Sequence, residues 1–215
     1  VEAFGRNSDS RADDDVVAQT PFTVGSGSGA GVGTGGSGSG SSGVAEAGAG
    51  RWVPSARGTW WRYDDGTYPR NVRLRIDGKV YRFDARGYMI TGWHNQEGMW
   101  ESYAPSGAQA FGWNVIDGSW YYLDPETGIM HTGWLELDGT WYYLNASGDM
   151  AMGWIKYNNE WYYLGGSGAM VTGWAQVGGT WYYMNQTGVM LIGWVNVNGT
   201  WYSLNASGAM VTGTQ

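Results

Sequence analysis

The chain has no cysteine, two histidines and only 12 lysines and arginines among 215 residues. Without thiols there is no disulfide scaffold, thiolate zinc site or cysteine nucleophile, and two imidazoles leave little for metal or triad chemistry. Phenylalanine numbers four, and leucine and isoleucine are scarce. An ordinary layered α/β enzyme core is therefore not expected, and any core has to be built from aromatic rings, methionine and valine in small β units. No run approaches the roughly 18 apolar residues of a membrane-spanning helix. The chain starts at Val1, with neither initiator methionine nor signal peptide, and reads as a piece of a longer polypeptide whose compartment it does not disclose.

Positive charge is also missing where the aromatic residues are. Residues 1–50 carry two basic and six acidic side chains, residues 51–92 nine and four, and residues 93–215 one and nine. The aromatic-rich part is the acidic part, so its field repels phosphate and attracts small cations, which excludes a nucleic-acid partner. The arginines of residues 51–92 read as solvated strand faces.

What is abundant is glycine, with 38 residues, and tryptophan and tyrosine, with 15 each. Ten glycines and six serines fall between Gly25 and Gly43; such a stretch buries nothing and predicts a flexible tether. Residues 1–24 read as a disordered tail or the end of an upstream domain, and residues 25–50 as a Gly/Ser-rich linker.

Beyond residue 90 the sequence repeats itself. A Gly-Trp pair recurs at Trp93, Trp113, Trp134, Trp154, Trp174 and Trp194, and a second tryptophan follows each at Trp100, Trp120, Trp141, Trp161, Trp181 and Trp201. Glycine precedes each pair in phase (Gly87 to Gly188), and methionine does so at Met89, Met130, Met150, Met170 and Met190, with Gln109 the exception. The turn Asp124 to Gly128 is one residue longer than its equivalents. Each unit reads as a β-hairpin, because alternating runs flank a two-residue turn suited to positive φ: Asp77-Gly78, Glu97-Gly98, Asp117-Gly118, Asp138-Gly139, Asn158-Asn159, Gly178-Gly179 and Asn198-Gly199. With Asp138-Gly139 as the turn, Trp134 pairs with Tyr143 and Glu136 with Trp141. The period of two then puts Trp134, Trp141 and Tyr143 on one face, and Leu135, Leu137, Tyr142 and Leu144 on the other.

A lone hairpin is marginal in water, so seven of them, from Val72 to Leu204, are expected to stack into an all-β solenoid. Residues 51–92, with Trp60, Trp61 and Tyr63 as a degenerate first unit, are expected to cap the stack formed by residues 93–213.

Segments such as Gly133 to Met150, with Trp134, Trp141, Tyr142, Tyr143 and Gly148 in phase, resemble the choline-binding, or cell-wall-binding, repeats of Gram-positive surface proteins and phage lysins. The resemblance covers residues 72–213 closely and 52–71 loosely. It implies an elongated left-handed β-solenoid of stacked hairpins that binds choline of teichoic acids in aromatic cages between successive hairpins. Carried over by position, Trp93 and Trp100 make two walls with Trp120 as the third; Trp113 and Trp120 pair with Trp141, Trp134 and Trp141 with Trp161, Trp154 and Trp161 with Trp181, and Trp174 and Trp181 with Trp201. Tyr122, Tyr143, Tyr163 and Tyr183 are rivals for the third wall, and Met130, Met150, Met170 and Met190 would close the floors. Glu101-Ser102 replaces the tyrosine pair and Gln109 the methionine at the first cage, and Trp194 has no following unit. Related repeats in bacterial glucosyltransferases and clostridial toxins bind glucans or other glycans.

The chemistry agrees with the resemblance. A quaternary ammonium donates no hydrogen bond, so only dispersion and the negative faces of π systems hold it, and indole has the strongest such face. The reading is a non-catalytic attachment module at a Gram-positive cell wall or surface, secreted or part of a phage lysin, holding choline or a choline-substituted polymer and anchoring an upstream domain. The rivals are a glycan-binding module that stacks sugars on tryptophan and a structural spacer without ligand. Pairing of two copies through the C-terminal hairpin is left open. No cofactor, metal or catalytic residue is expected: Glu136 with Asp138 and Asp124 with Glu126 lie in turns or exposed positions, and His94 and His131 read as surface residues. Asn145, Asn185 and Asn205 match a glycosylation pattern, but at turns where asparagine is wanted anyway.

Overall fold

The structure, a computed structural model, describes residues 43–211. The tail of residues 1–24 and most of the linker at 25–50 lie outside the described residues. Of the linker's last residues, Ala45–Glu46 form a short strand, β1.

Every regular element among the described residues is a strand. After β1 come β2 (Gly50–Ser55), β3 (Gly58–Tyr63), β4 (Val72–Ile76), β5 (Lys79–Phe83), β6 (Gly92–Gln96), β7 (Met99–Tyr103), β8 (Gly112–Ile116) and β9 (Ser119–Leu123). They are followed by β10 (Gly133–Leu137), β11 (Thr140–Leu144), β12 (Gly153–Tyr157), β13 (Glu160–Leu164), β14 (Gly173–Val177), β15 (Thr180–Met184), β16 (Gly193–Val197) and β17 (Thr200–Leu204). From β2 onward consecutive strands pair as hairpins, and β1 adds to β4 in parallel. The seven hairpins expected between Val72 and Leu204 are all present, preceded by β2–β3. The described chain divides into two compact units, residues 43–135 with Leu144–Met150, and Glu136–Tyr143 with residues 151–211. They are called the N-terminal and C-terminal units below.

The turns form for the reason read in the sequence. Both central residues have positive φ at Asp117 (50°) and Gly118 (86°), at Asn158 (48°) and Asn159 (67°), and at Gly178 (57°) and Gly179 (82°). That backbone matches the right-handed twist of the flanking strands, and aspartate, asparagine and glycine adopt it at least cost. The register follows: Val177 faces Thr180, Gln176 faces Trp181, Ala175 faces Tyr182 and Trp174 faces Tyr183.

The links between hairpins do the stacking. In the C-terminal unit the Met190 amide donates to the Trp161 carbonyl at 2.8 Å and the Met210 amide to the Trp181 carbonyl at 2.7 Å. In the N-terminal unit Met130 reaches Trp100 and Met150 reaches Trp120 in the same way, both at 2.7 Å. Each link thus closes on the hairpin before its own. The methionine side chain fixes the layer spacing. Gly188 has a φ of 84°, and a Cβ added to it would lie on the Met170 sulfur; Gly208 stands in the same relation to Met190 and Gly148 to Met130. Asparagine starts the link turn by accepting from the backbone, as Asn185 Oδ1 does from Thr187 N at 2.9 Å and Val189 N at 3.0 Å. The core is correspondingly thin. Its most deeply buried side chains stand at the end of the second strand of the hairpins, where Leu123, Leu144, Leu164 and Met184 are each 0% exposed.

Candidate functional site

Four positions define the interval between one hairpin and the next: the first tryptophan, the second tryptophan, the second tyrosine across the strand pair from the first tryptophan, and one ring from the following hairpin. Two intervals lie wholly in the C-terminal unit. In one, Trp154 stands at 88° to Trp161 with centroids 6.5 Å apart, and its cross-strand partner Tyr163 is 5.0 Å away. The ring from the next hairpin is Tyr182, 4.8 Å from Trp154. In the other, Trp174 and Trp181 meet at 89° and 6.3 Å, Tyr183 is 4.9 Å from Trp174, and Tyr202 closes at 4.8 Å.

Two indoles at right angles form a notch; in the second interval its Trp181 wall is open to water, 40% exposed, while Trp161 in the first is only partly exposed. Trp93 and Trp100 repeat the arrangement in the N-terminal unit at 85° and 6.4 Å, with Tyr121 closing at 4.9 Å. There Ser102 faces Trp93 in place of a tyrosine, so this notch lacks one ring. Trp113, Trp120 and Tyr122 form the same constellation within their hairpin, with Trp113 at 6.3 Å from Trp120 and 5.2 Å from Tyr122. Trp194 and Trp201 are 59% and 63% exposed.

The ring supplied by the following hairpin is the tyrosine directly after its second tryptophan: Tyr121, Tyr182 or Tyr202. The sequence reading named the second tryptophan or second tyrosine of that hairpin instead. It missed these tyrosines because they sit on the face opposite their own hairpin's tryptophans. That same alternation was the signal, since the opposite face is the one turned back toward the preceding notch. Met130, Met170 and Met190, expected as cage floors, place their sulfurs against the link glycines.

Toward the N-terminus the same frame holds other residues. In β4–β5 the cross-strand pair is Arg73 with Arg82, Val80 stands at the second tryptophan's position, and Glu101 of β7 occupies the place of the closing tyrosine. Glu101, 5% exposed, accepts from Arg73 Nη1 at 2.7 Å, Arg82 Nε at 2.9 Å and the Tyr103 hydroxyl at 2.8 Å. Arg73 also donates to the Thr127 carbonyl at 2.8 Å, in the turn that carries the extra residue. Burial, with the Glu101 carboxylate adding to it, holds the Tyr103 phenol protonated well above the usual tyrosine range. These two arginines are therefore not the solvated residues the sequence suggested. Local pattern cannot show a carboxylate arriving from the next repeat.

In β2–β3 the equivalent pair is Trp52 with Trp61, and Tyr81 lies 4.8 Å from Trp52, as the closing tyrosines do elsewhere. Thr59 replaces the second tryptophan, Phe83 stacks 6.1 Å from Trp52, and Trp61 and Tyr81 are buried. These rings fill one another's space and form the core of that end. Among the described residues no cluster of histidine and carboxylate side chains could hold a metal ion, and no helix is long and apolar enough to cross a membrane.

Residues 90–132, 131–172 and 171–214 each match the profile of the choline-binding repeat. No curated protein matches the chain. Among solved structures, CbpJ from Streptococcus pneumoniae aligns at 37% identity with a TM-score of 0.66, over 72% of this chain and 56% of that one. Choline binding protein F from the same organism aligns at 36% identity and a TM-score of 0.68, over 75% of this chain and 57% of that one. The modular autolysin LytC, also pneumococcal, aligns at 25% identity and a TM-score of 0.50, over 76% and 39%. The chain thus spans less than two thirds of the length of these neighbours.

Proposed function

The chain belongs to the choline-binding repeat family, and from that premise we propose that it is a non-catalytic module that attaches a joined domain to a Gram-positive cell wall by holding choline of teichoic and lipoteichoic acids. The observation that carries this reading is the pair of notches at Trp154–Trp161–Tyr163–Tyr182 and Trp174–Trp181–Tyr183–Tyr202, each with indoles at right angles, the second with the Trp181 wall open to water. A trimethylammonium group presents only polarised methyls, and perpendicular π faces meet it on two sides without demanding a hydrogen bond. The carboxylates of residues 93–215, nine against one basic group, add a favourable field.

Each ring contributes about 0.5–2 kcal/mol, so a single notch holds choline at roughly millimolar strength. A polymer that repeats its choline engages several notches at once and gains about 10² to 10⁴ in avidity. The interval at Trp93, Trp100 and Tyr121 and that around Trp113 with Trp120 belong to the same proposed series. Titration of tryptophan fluorescence or heat with choline, against glucan oligomers, tests the reading. Saturation by millimolar choline supports it; response to glucan alone, or to neither, overturns it.

A further inference from the structure

Residues 93–215 contain a single basic side chain, Lys156, and the fold places it on a notch wall. Lys156 lies directly across the β12–β13 pair from Trp161, and its Nζ stands over the Trp161 ring at 6.0 Å from the centroid. It makes no ion pair among the described residues. Trp161 is partly shielded, whereas Trp100, Trp120, Trp141, Trp181 and Trp201 are all exposed. At the corresponding position in the next hairpin, Gln176 faces Trp181 and brings no charge.

We propose that Lys156 sets the specificity of its notch, weakening the hold of Trp154, Trp161, Tyr163 and Tyr182 on a cationic headgroup relative to the otherwise matching notch at Trp174. This rests on the quaternary-ammonium reading above. The ammonium already draws on the π density of one wall, and it repels a second cation placed beside that wall. Two unit charges about 7 Å apart in a water-like dielectric weaken binding about threefold. The matching notches therefore fill in order, Trp174–Trp181 first and Trp154–Trp161 second. The repulsion is screened by salt, so the gap narrows as ionic strength rises. A neutral ligand of the same shape feels none of it.

Indole N–H resonances report the two notches separately by NMR. Lys156→Gln is expected to tighten choline at Trp154 and Trp161 about threefold and leave Trp174 and Trp181 unchanged, while Gln176→Lys weakens the second notch by a similar factor. The neutral isostere 3,3-dimethylbutanol is expected to bind parent and Lys156→Gln alike. Choline titrating both notches with no change in either variant would overturn the role of Lys156 and leave the binding reading intact. An equal gain for choline and the isostere would assign the effect to steric cover and overturn the electrostatic proposal. No response of any indole to choline in the parent would overturn both.

Discussion

One backbone frame holds an ion pair in the first repeats and an open notch in the last. In β4–β5 the interval is filled by Arg73 and Arg82, closed by Glu101 from the next hairpin. In β12–β13 the matching positions are Trp154 and Tyr163, closed by Tyr182. The hairpin register, the two-residue turn and the link hydrogen bond are the same: the Gln109 amide reaches the Val80 carbonyl at 2.8 Å as the Met190 amide reaches Trp161. The same frame therefore carries either an ion pair or a cluster of rings, according to four side chains per repeat. Where a guanidinium takes the tryptophan's place, the protein supplies its own cation and its own counter-charge. Where two indoles take those places, they meet at right angles and no ion pair crosses the interval among the described residues.

The largest effect expected from breaking this contrast is at Glu101. Glu101→Ala strands two opposed, largely buried guanidiniums, and should lower stability by about 3 kcal/mol in denaturant unfolding, at the low end of broken buried pairs because the arginines keep some contact with water. Choline binding at Trp154 and Trp174 should be unchanged. A loss below about 1 kcal/mol would mean the arginines swing into solvent and the ion pair holds nothing together.

The frame itself is next. Gly188→Ala puts a Cβ on the Met170 sulfur at a φ of 84°, whereas Gly199→Ala, at 86° in a hairpin turn, meets nothing. We expect the first to cost about 2–3 kcal/mol and the second about 1 kcal/mol, measured by the same unfolding curves. Equal costs would show that methionine packing does not set the layer spacing.

A smaller effect belongs to the notch. Tyr182→Ala removes the closing ring from Trp154 and should reduce choline affinity there about fivefold, read from the indole resonances. The equivalent change at the other end, Tyr81→Ala, deletes a buried core ring. It should cost about 3 kcal/mol of stability and leave choline binding untouched.

Local chemistry made the hairpins legible. Asp-Gly, Asn-Asn and Gly-Gly turns declare themselves, and the period of two then fixes which residues face each other, as with Trp174 and Tyr183. The recurrence of glycine and methionine marked the links, yet not that Met170 packs on Gly188, because that contact spans 18 residues and two layers. The closing tyrosines were not among the residues named for the third wall for a similar reason. Register within a hairpin follows from its turn, whereas the offset between hairpins is set by link hydrogen bonds such as Met190 to Trp161, which leave no local pattern. Arg73 and Arg82 looked solvated since their carboxylate arrives from the next repeat.

The two regions should also differ in their response to acid, and this is the smallest expected effect. His94 faces Glu101 across β6–β7. Burial, and then the nearby Arg82 guanidinium, push its imidazole below the ordinary histidine value, with Glu101 opposing. The folded chain thus binds this proton less readily than the unfolded chain. The linked stability is complete above the ordinary histidine value and is lost as pH falls through the lowered one. Unfolding of parent protein between about pH 7.5 and 5 should show this loss, and His94→Asn should flatten it. Choline binding should stay level over the same range, since neither a quaternary ammonium nor an indole exchanges a proton there. A shared pH slope for unfolding and for binding would couple the ion-paired interval to the notches and break the separation drawn between them.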